Sequence, residues 1–391
     1  MSPSAPDVEQ PPSWDSTTFA VLQGLPSLVV PLFLASAFLR VSHSLSLALA
    51  QVSTRSTRQT KRSYPQHKQK SPSKMRSSFF ATVLAALALP RGLLAAPSLG
   101  ENFGDERLSL VARQNGKATQ KDLDDIKYFV QFAASAYCNN RKSQVGSKVT
   151  CANNACVTVQ RNDVINFAHI DTDINANMDG AIYVDRTNRL IVLSYMGSKS
   201  ASSYLLELDF TVAEVPDLCQ NCKISYGLNL VWVQTQRSIV DSINRARQQF
   251  PGFRVAAAGH SGGGGLVSIA TSYLRGKHGI PVDLYTYGSP RVGNEAWAQF
   301  VTDQAPRLGA NYRVTHYNDP IAAIPPAWID NMSHISPEFW LSRKDAETPD
   351  YPLSEVTVCN GVRTKDCRAS KGVTLSTSAH SYYFQRVTGC K

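Results

Sequence analysis

The sequence predicts an α/β fold: a mostly parallel central sheet with helices on both faces. Short apolar runs recur along the chain, and amphipathic stretches of helical period lie between them. A burst of glycine in AAAGHSGGGGLVSIATSYLRG, residues 256–276, joins one such strand directly to a helix. Strands that alternate with helices pair in parallel, because each helix carries the chain back across a face of the sheet.

The N-terminal quarter stands apart from that pattern. Its first 96 residues hold 10 of the 40 Lys and Arg but only 3 of the 30 Asp and Glu, which leaves 30 against 27 for residues 97–391. The basicity of the whole chain (+10) is therefore mostly local to this leader, and nucleic-acid binding by the folded part is not expected. Residues 19–39, FAVLQGLPSLVVPLFLASAFL, are long enough to cross a bilayer but contain Gln23, Pro26 and Pro31. Residues 53–74 have the composition of a disordered basic tail. From Met75 the chain follows the grammar of a signal peptide: Arg76, an apolar stretch from Phe79 to Leu89, then Ala95 and Ala96. Residues 75–96 read as that signal peptide and 97–113 as a possible propeptide. Residues 1–74 then read as a non-native or disordered extension upstream of the true start; a membrane anchor at 19–39 is the rival reading. A single folded domain is expected over 114–391.

Within that span the elements follow in order. LDDIKYFVQFAASAYC sets Ile126, Phe129, Val130, Ala133 and Tyr137 on one helical face. AIYVD (181–185) and RLIVLSY (189–195) read as neighbouring strands. LNLVWVQTQRSIVDSINRARQQF (228–250) is a long helix stopped by Pro251-Gly252. FRVAAAG, VDLYTYG (282–288) and NYRVTHY (311–317) are further strands separated by helical stretches. All eight cysteines fall after residue 96, an even count that suits disulfides in an exported chain. Cys219-Gln-Asn-Cys222 has no second metal-binding pair, so a structural bridge fits better than zinc or redox chemistry. Asn331-Met332-Ser333 is a glycosylation acceptor.

The glycine burst fits neither a phosphate loop nor a linker. GxxxxGK[ST] and GxGxxG are both absent, and Leu266, Val267, Ile269, Ala270, Tyr273 and Leu274 continue at once as an apolar helical face. Gly259-His260-Ser261-Gly262-Gly263 does fit G-x-S-x-G, a turn that holds a serine nucleophile above a strand. A serine there needs a base and a carboxylate further along the chain. Asp319 lies just past a strand, at the carboxyl edge where open α/β sheets place their sites; Asp283 opens a strand at the wrong end. Of the histidines beyond Asp319, His380 leaves enough chain to return to the turn, while His334 follows too closely and reads as structural. The N–H of Gly262 and a donor from the turn at Gly197-Ser198 would hold an oxyanion.

FAASAYC, LIVLSYMGS, CQNC, FRVAAAGHSGGG, YTYGSPRVGN, YRVTHYNDP, SHISPEFW and AHSYYF, in this order, resemble the secreted class 3 (fungal) lipase family from about residue 120 to 390. The resemblance implies an α/β-hydrolase fold, a triad of Ser261, Asp319 and His380, and oxyanion donors at Ser198 and Gly262. It further implies bridges Cys138–Cys390, Cys151–Cys156 and Cys219–Cys222, with Cys359–Cys367 left as the fourth. A short helical lid is implied over ASSYLLEL (201–208), where Ala201, Tyr204, Leu205 and Leu208 share a face. Four departures from the family pattern stand out. Tyr195-Met196 replaces a Phe-Arg pair, Ser225 replaces a histidine, Ala322-Ala323 replaces Pro-Arg, and Gly262 replaces leucine.

The reading that follows is a secreted serine esterase that cleaves acylglycerols at a lipid–water interface, as a monomer. It would use neither metal nor organic cofactor and would keep no membrane span in the mature chain. A feruloyl esterase of the same family is the alternative within enzymes, although the Tyr and Leu content of 201–208 favours lipid. A non-catalytic, surface-binding relative is the alternative outside them.

Overall fold

In a computed structural model of the protein, the described residues are 117–139, 143–172, 178–198, 210–344, 347–372 and 377–390. The readings made for 1–74, 75–96 and 97–113, and for the lid residues Ala201, Tyr204, Leu205 and Leu208, lie outside them.

Eight strands form the main sheet, and their spatial order follows the chain: β1 (Val164–Ile170), β2 (Gly180–Asp185), β3 (Leu190–Tyr195), β4 (Arg254–His260), β5 (Val282–Tyr287), β6 (Asn311–His316), β7 (Glu338–Leu341) and β8 (Val356–Cys359). The five central strands, β3 to β7, run parallel, while β1, β2 and β8 join antiparallel at the two edges. Four helices frame the sheet: α1 (Gln120–Cys138), α2 (Tyr226–Gln249), α3 (Gly262–Gly276) and α4 (Glu295–Gln304). A smaller four-stranded sheet gathers residues 212–214, 223–225, 293–294 and 332–333.

The two-residue period of a strand divides the core between the two faces. Val192, Ala256, Ala258, Tyr285 and Tyr287 point to the face covered by α1, where they meet Ile126, Phe129 and Ala133. Their alternates Ile191, Leu193, Val255, Ala257 and Leu284 pack under α2 and α3 against Val231, Ile239, Leu266 and Ile269. Apolar runs covered on both sides account for strands without polar alternation. α1 starts with a capping box between Thr119 and Asp122, which satisfies N–H groups that a helix start leaves unpaired. The eight cysteines form the four expected disulfides, Cys138–Cys390, Cys151–Cys156, Cys219–Cys222 and Cys359–Cys367. Among the described residues no helix is long and apolar enough to cross a membrane.

Candidate active site

The serine turn sits between β4 and α3, at the carboxyl edge of the parallel strands. Ser261 has φ 60° and ψ −133°, a conformation that L residues avoid at a cost of about 1–3 kcal/mol. The turn survives because three backbones pass close together there. A Cβ on Gly259 would lie 2.4 Å from the carbonyl oxygen of Gly263, and one on Gly263 would lie 2.3 Å from that of Tyr195. Glycine at both places is a steric requirement. The Ser261 N–H is tied to the Tyr287 carbonyl at 2.9 Å, so β5 braces the turn from the side.

Asp319 follows β6 and is fully buried. His380, in the short C-terminal helix α5 (Ser378–Ser381), brings Nδ1 to 2.8 and 3.0 Å from the two Asp319 carboxylate oxygens. An ionised carboxylate only accepts, so Nδ1 carries the proton and Nε2 keeps its lone pair. Nε2 is buried and, among the described residues, has no hydrogen-bond partner. Asp319 also accepts from the Tyr383 hydroxyl at 2.5 Å and from the Ile321 N–H at 2.8 Å. Burial alone would push its carboxyl up, but His380, Tyr383 and the Ile321 N–H outweigh burial and hold it below the ordinary aspartate range. Burial and the neighbouring Asp319 push the Tyr383 phenol well above its usual value, so it stays a donor.

Three residues of this site were missed in the sequence. Gly288 directly follows β5 with φ +59°, and a Cβ there would lie 2.5 Å from Asp319 Oδ2 and 2.9 Å from His380 Nδ1. Its signal was the glycine in YTYGSP, at the same sheet edge as the serine turn. Tyr137 and His260, read only as a core position and as a spacer, join the turn after β3 to the His380 loop. The Gly197 N–H donates to the Tyr137 hydroxyl at 2.8 Å, that hydroxyl lies 2.8 Å from His260 Nδ1, and His260 Nε2 lies 2.7 Å from the His380 carbonyl oxygen. A carbonyl only accepts, so His260 Nε2 carries a proton and donates it to the His380 carbonyl.

The remaining candidates lie at these places. Gly262 is the first residue of α3, where an N–H has no intrahelical acceptor. Ser198 directly follows Gly197 in the turn after β3. His334 places Nε2 2.8 Å from the Ala322 carbonyl oxygen, a structural role, and Asp283 is bonded to Arg254 and to the Ala310 N–H. Met196, in place of the family's arginine, is buried in the core at 4% exposure.

Comparison with known proteins fits this geometry. The family described as Lipase (class 3) matches residues 192–328. A secreted mono- and diacylglycerol lipase 1 of Fusarium solani is 33% identical over 73% of this chain and 83% of its own length. The chain belongs to the class 3 lipases. As a member of that family it is a carboxylic-ester hydrolase with the α/β-hydrolase fold. Secreted mono- and diacylglycerol lipase A of Penicillium cyclopium is 32% identical over 71% of this lipase and 90% of its own chain. The crystal structure of a mono- and diacylglycerol lipase from Aspergillus oryzae superposes with a TM-score of 0.64 at 30% identity, over 70% of this lipase and all of that chain.

Proposed function

We propose that this lipase hydrolyses mono- and diacylglycerols outside the cell through an acyl-enzyme on Ser261. The observation that carries the reading is the state of His380, whose Nδ1–H is fixed on a buried carboxylate while Nε2 is buried and unpartnered among the described residues. A base with one nitrogen locked and the other open is the arrangement that takes a proton from a nucleophile.

Ser261 Oγ attacks the ester carbonyl as its proton passes to His380 Nε2, and Asp319 balances the charge on the imidazolium. The electron pair of the carbonyl moves onto oxygen, where the N–H groups of Ser198 and Gly262 receive it. The Gly197 N–H is committed to Tyr137, which supports the next residue as the donor from that turn. Collapse of the intermediate expels the glycerol oxygen, which takes the proton from Nε2. Water then repeats the sequence, giving its proton to His380 and its hydroxyl to the acyl carbon, and Ser261 leaves with a proton restored. The segment 201–208 serves as a lid whose apolar face meets the lipid–water interface. The enzyme acts as a monomer, and its glycosylation site is Asn331, an exposed residue.

Secretion and the preference for partial glycerides follow the names of the relatives from Fusarium solani and Penicillium cyclopium. Hydrolysis of diacylglycerol, triacylglycerol and methyl ferulate by the parent protein and by Ser261→Ala tests the reading. The parent is expected to prefer diacylglycerol, and the variant to lose at least about 10³-fold in kcat with its melting temperature nearly unchanged. Equal turnover by Ser261→Ala rules out the nucleophile, and a preference for methyl ferulate rules out the substrate.

A further inference from the structure

Two disulfides meet at the end of α1. Cys138 is the last residue of that helix and is bridged to Cys390 in the tail, while the Cys151–Cys156 bridge beside it spans only 5 residues. The Sγ atoms of Cys138, Cys151 and Cys390 all lie within 4.8 Å of one another. Among the described residues no other sulfur stands this close to both members of a second bridge. Cys138, Cys151 and Cys390 are half-buried, whereas Cys156 is fully buried. Of the local pair, then, Cys151 is the sulfur that a reagent can reach, and it is also the one that faces the long bridge.

A disulfide is exchanged when a thiolate attacks one of its sulfurs, and access and the departing sulfur set the rate. We infer that these three sulfurs form an exchange site, through which an external dithiol that reduces the local bridge also opens the long one. The dithiol attacks Cys151 Sγ, and the bond to Cys156 breaks with its electron pair on Cys156. The second thiol of the reagent then closes its own disulfide and releases Cys151 as a thiolate. Cys151 attacks Cys138 Sγ, so that Cys138–Cys151 forms as Cys138–Cys390 breaks. The carbonyl end of α1 opposes a negative charge on Cys138, and the electron pair leaves on Cys390. The two protons of the dithiol end on Cys156 and Cys390, and one dithiol is oxidised for one protein disulfide lost.

The consequence lies in what Cys390 fastens. Once it is free, the tail that carries His380 is held by the packing of Tyr383, Phe384 and Val387 alone. The closure across 252 residues is replaced by a short one near the end of α1, and the loop-entropy contribution of the long bridge is lost with it. Reduction of a small local loop is thereby passed to the segment that bears the proposed base, and hydrolysis falls. The exchange rests on the sulfur positions alone. The fall in hydrolysis rests also on the role proposed for His380, so a map of the bridges distinguishes the two.

Native full-length protein is exposed to dithiothreitol well below its melting temperature, quenched in acid, alkylated, digested and mapped by mass spectrometry. At about 0.1 mM the reagent is roughly tenfold below the millimolar effective concentration of a tethered thiol, so the internal attack should outrun the external one. The expected product has a Cys138–Cys151 bridge, alkylated Cys156 and Cys390, and Cys219–Cys222 and Cys359–Cys367 in their original pairs or simply reduced. In Cys151→Ser with Cys156→Ser, the Cys138–Cys390 bridge should open about tenfold more slowly than in the parent. Cys156→Ser, which frees Cys151 from the start, should form Cys138–Cys151 without any reductant. The inference is overturned if the parent yields no Cys138–Cys151 bridge, or if its long bridge opens no faster than that of the double variant. Mispaired bridges spread over all eight cysteines would also overturn it, because they report scrambling through unfolding. The parent alone decides the first and last of these outcomes, so the test does not depend on either variant folding.

Discussion

At Gly288 a single hydrogen atom keeps the Asp319–His380 pair together. The residue has a left-handed φ, and any Cβ would press on Asp319 Oδ2, His380 Nδ1 and the Tyr383 hydroxyl. Two penalties would follow from Gly288→Ala, one from backbone strain and one from displaced side chains. Gly279 separates them, because it shares the positive φ (61°) but has nothing within 4 Å of an added Cβ. Gly279→Ala should therefore cost about 1–2 kcal/mol of stability and leave kcat unchanged. Gly288→Ala should lose at least about tenfold in kcat on a soluble short-chain ester, since displacements near 1 Å can cost a hundredfold. Steady-state kinetics and melts of the two variants side by side check this; equal kcat values would show that the clash is relaxed without moving the imidazole.

Three elements meet through one hydroxyl, that of Tyr137, which links the turn after β3, the serine turn and the His380 loop. Tyr137→Phe leaves the Gly197 N–H and His260 Nδ1 without that partner, a cost of about 1–3 kcal/mol. If the link positions the oxyanion donors, kcat falls by about tenfold while KM is little changed. Tyr183→Phe is the matched control, because the Tyr183 hydroxyl is buried and already without a partner. A loss of stability in Tyr137→Phe with kcat intact would leave the tyrosine a purely structural residue. The helix carrying Tyr137 was legible from its period, and so were β3 to β6, because their apolar runs are bounded by turns. β1 was not. In VINFAHI a bulge between Asn166 and Ala168 breaks the alternation, so Ile165, Phe167, Ala168 and Ile170 all pack against one core while Val164 packs against the other, and no two-residue period is left to read. β7 hid for a different reason: its first residue, Glu338, is buried with a charge that is balanced by Arg313, 25 residues earlier in the chain. Ser261, Asp319 and His380 could be read in order because the turn, the strand end and the chain length constrain each one. The links through Gly288, Tyr137 and His260 depend on distances that no local pattern records.

Over the whole molecule, the chain must bring His380 back to a turn more than a hundred residues earlier, and the tail that does so is fastened ten residues later by Cys138–Cys390. That bond joins the end of α1 to the C-terminus across 252 residues, whereas Cys359–Cys367 spans 8. In the loop-entropy account the long closure stabilises the fold by about 5 kcal/mol and the short one by about 2.5 kcal/mol. The difference is enough to order the two double variants. Cys138→Ser with Cys390→Ser should lower Tm by roughly 10 °C, and Cys359→Ser with Cys367→Ser by about half as much. Position in the fold adds a second distinction that entropy does not contain. The long bridge holds the segment bearing His380, so without it the tail can detach while the sheet persists, as weakly held termini do. Activity in that variant should therefore vanish several degrees below its own melting transition, whereas the other pair of variants should lose activity and structure together. Residual activity measured across a temperature series, set against melts by circular dichroism, separates the two. If activity and structure fade together in both, the bridge stabilises the molecule as a whole and does not specifically hold the imidazole in place.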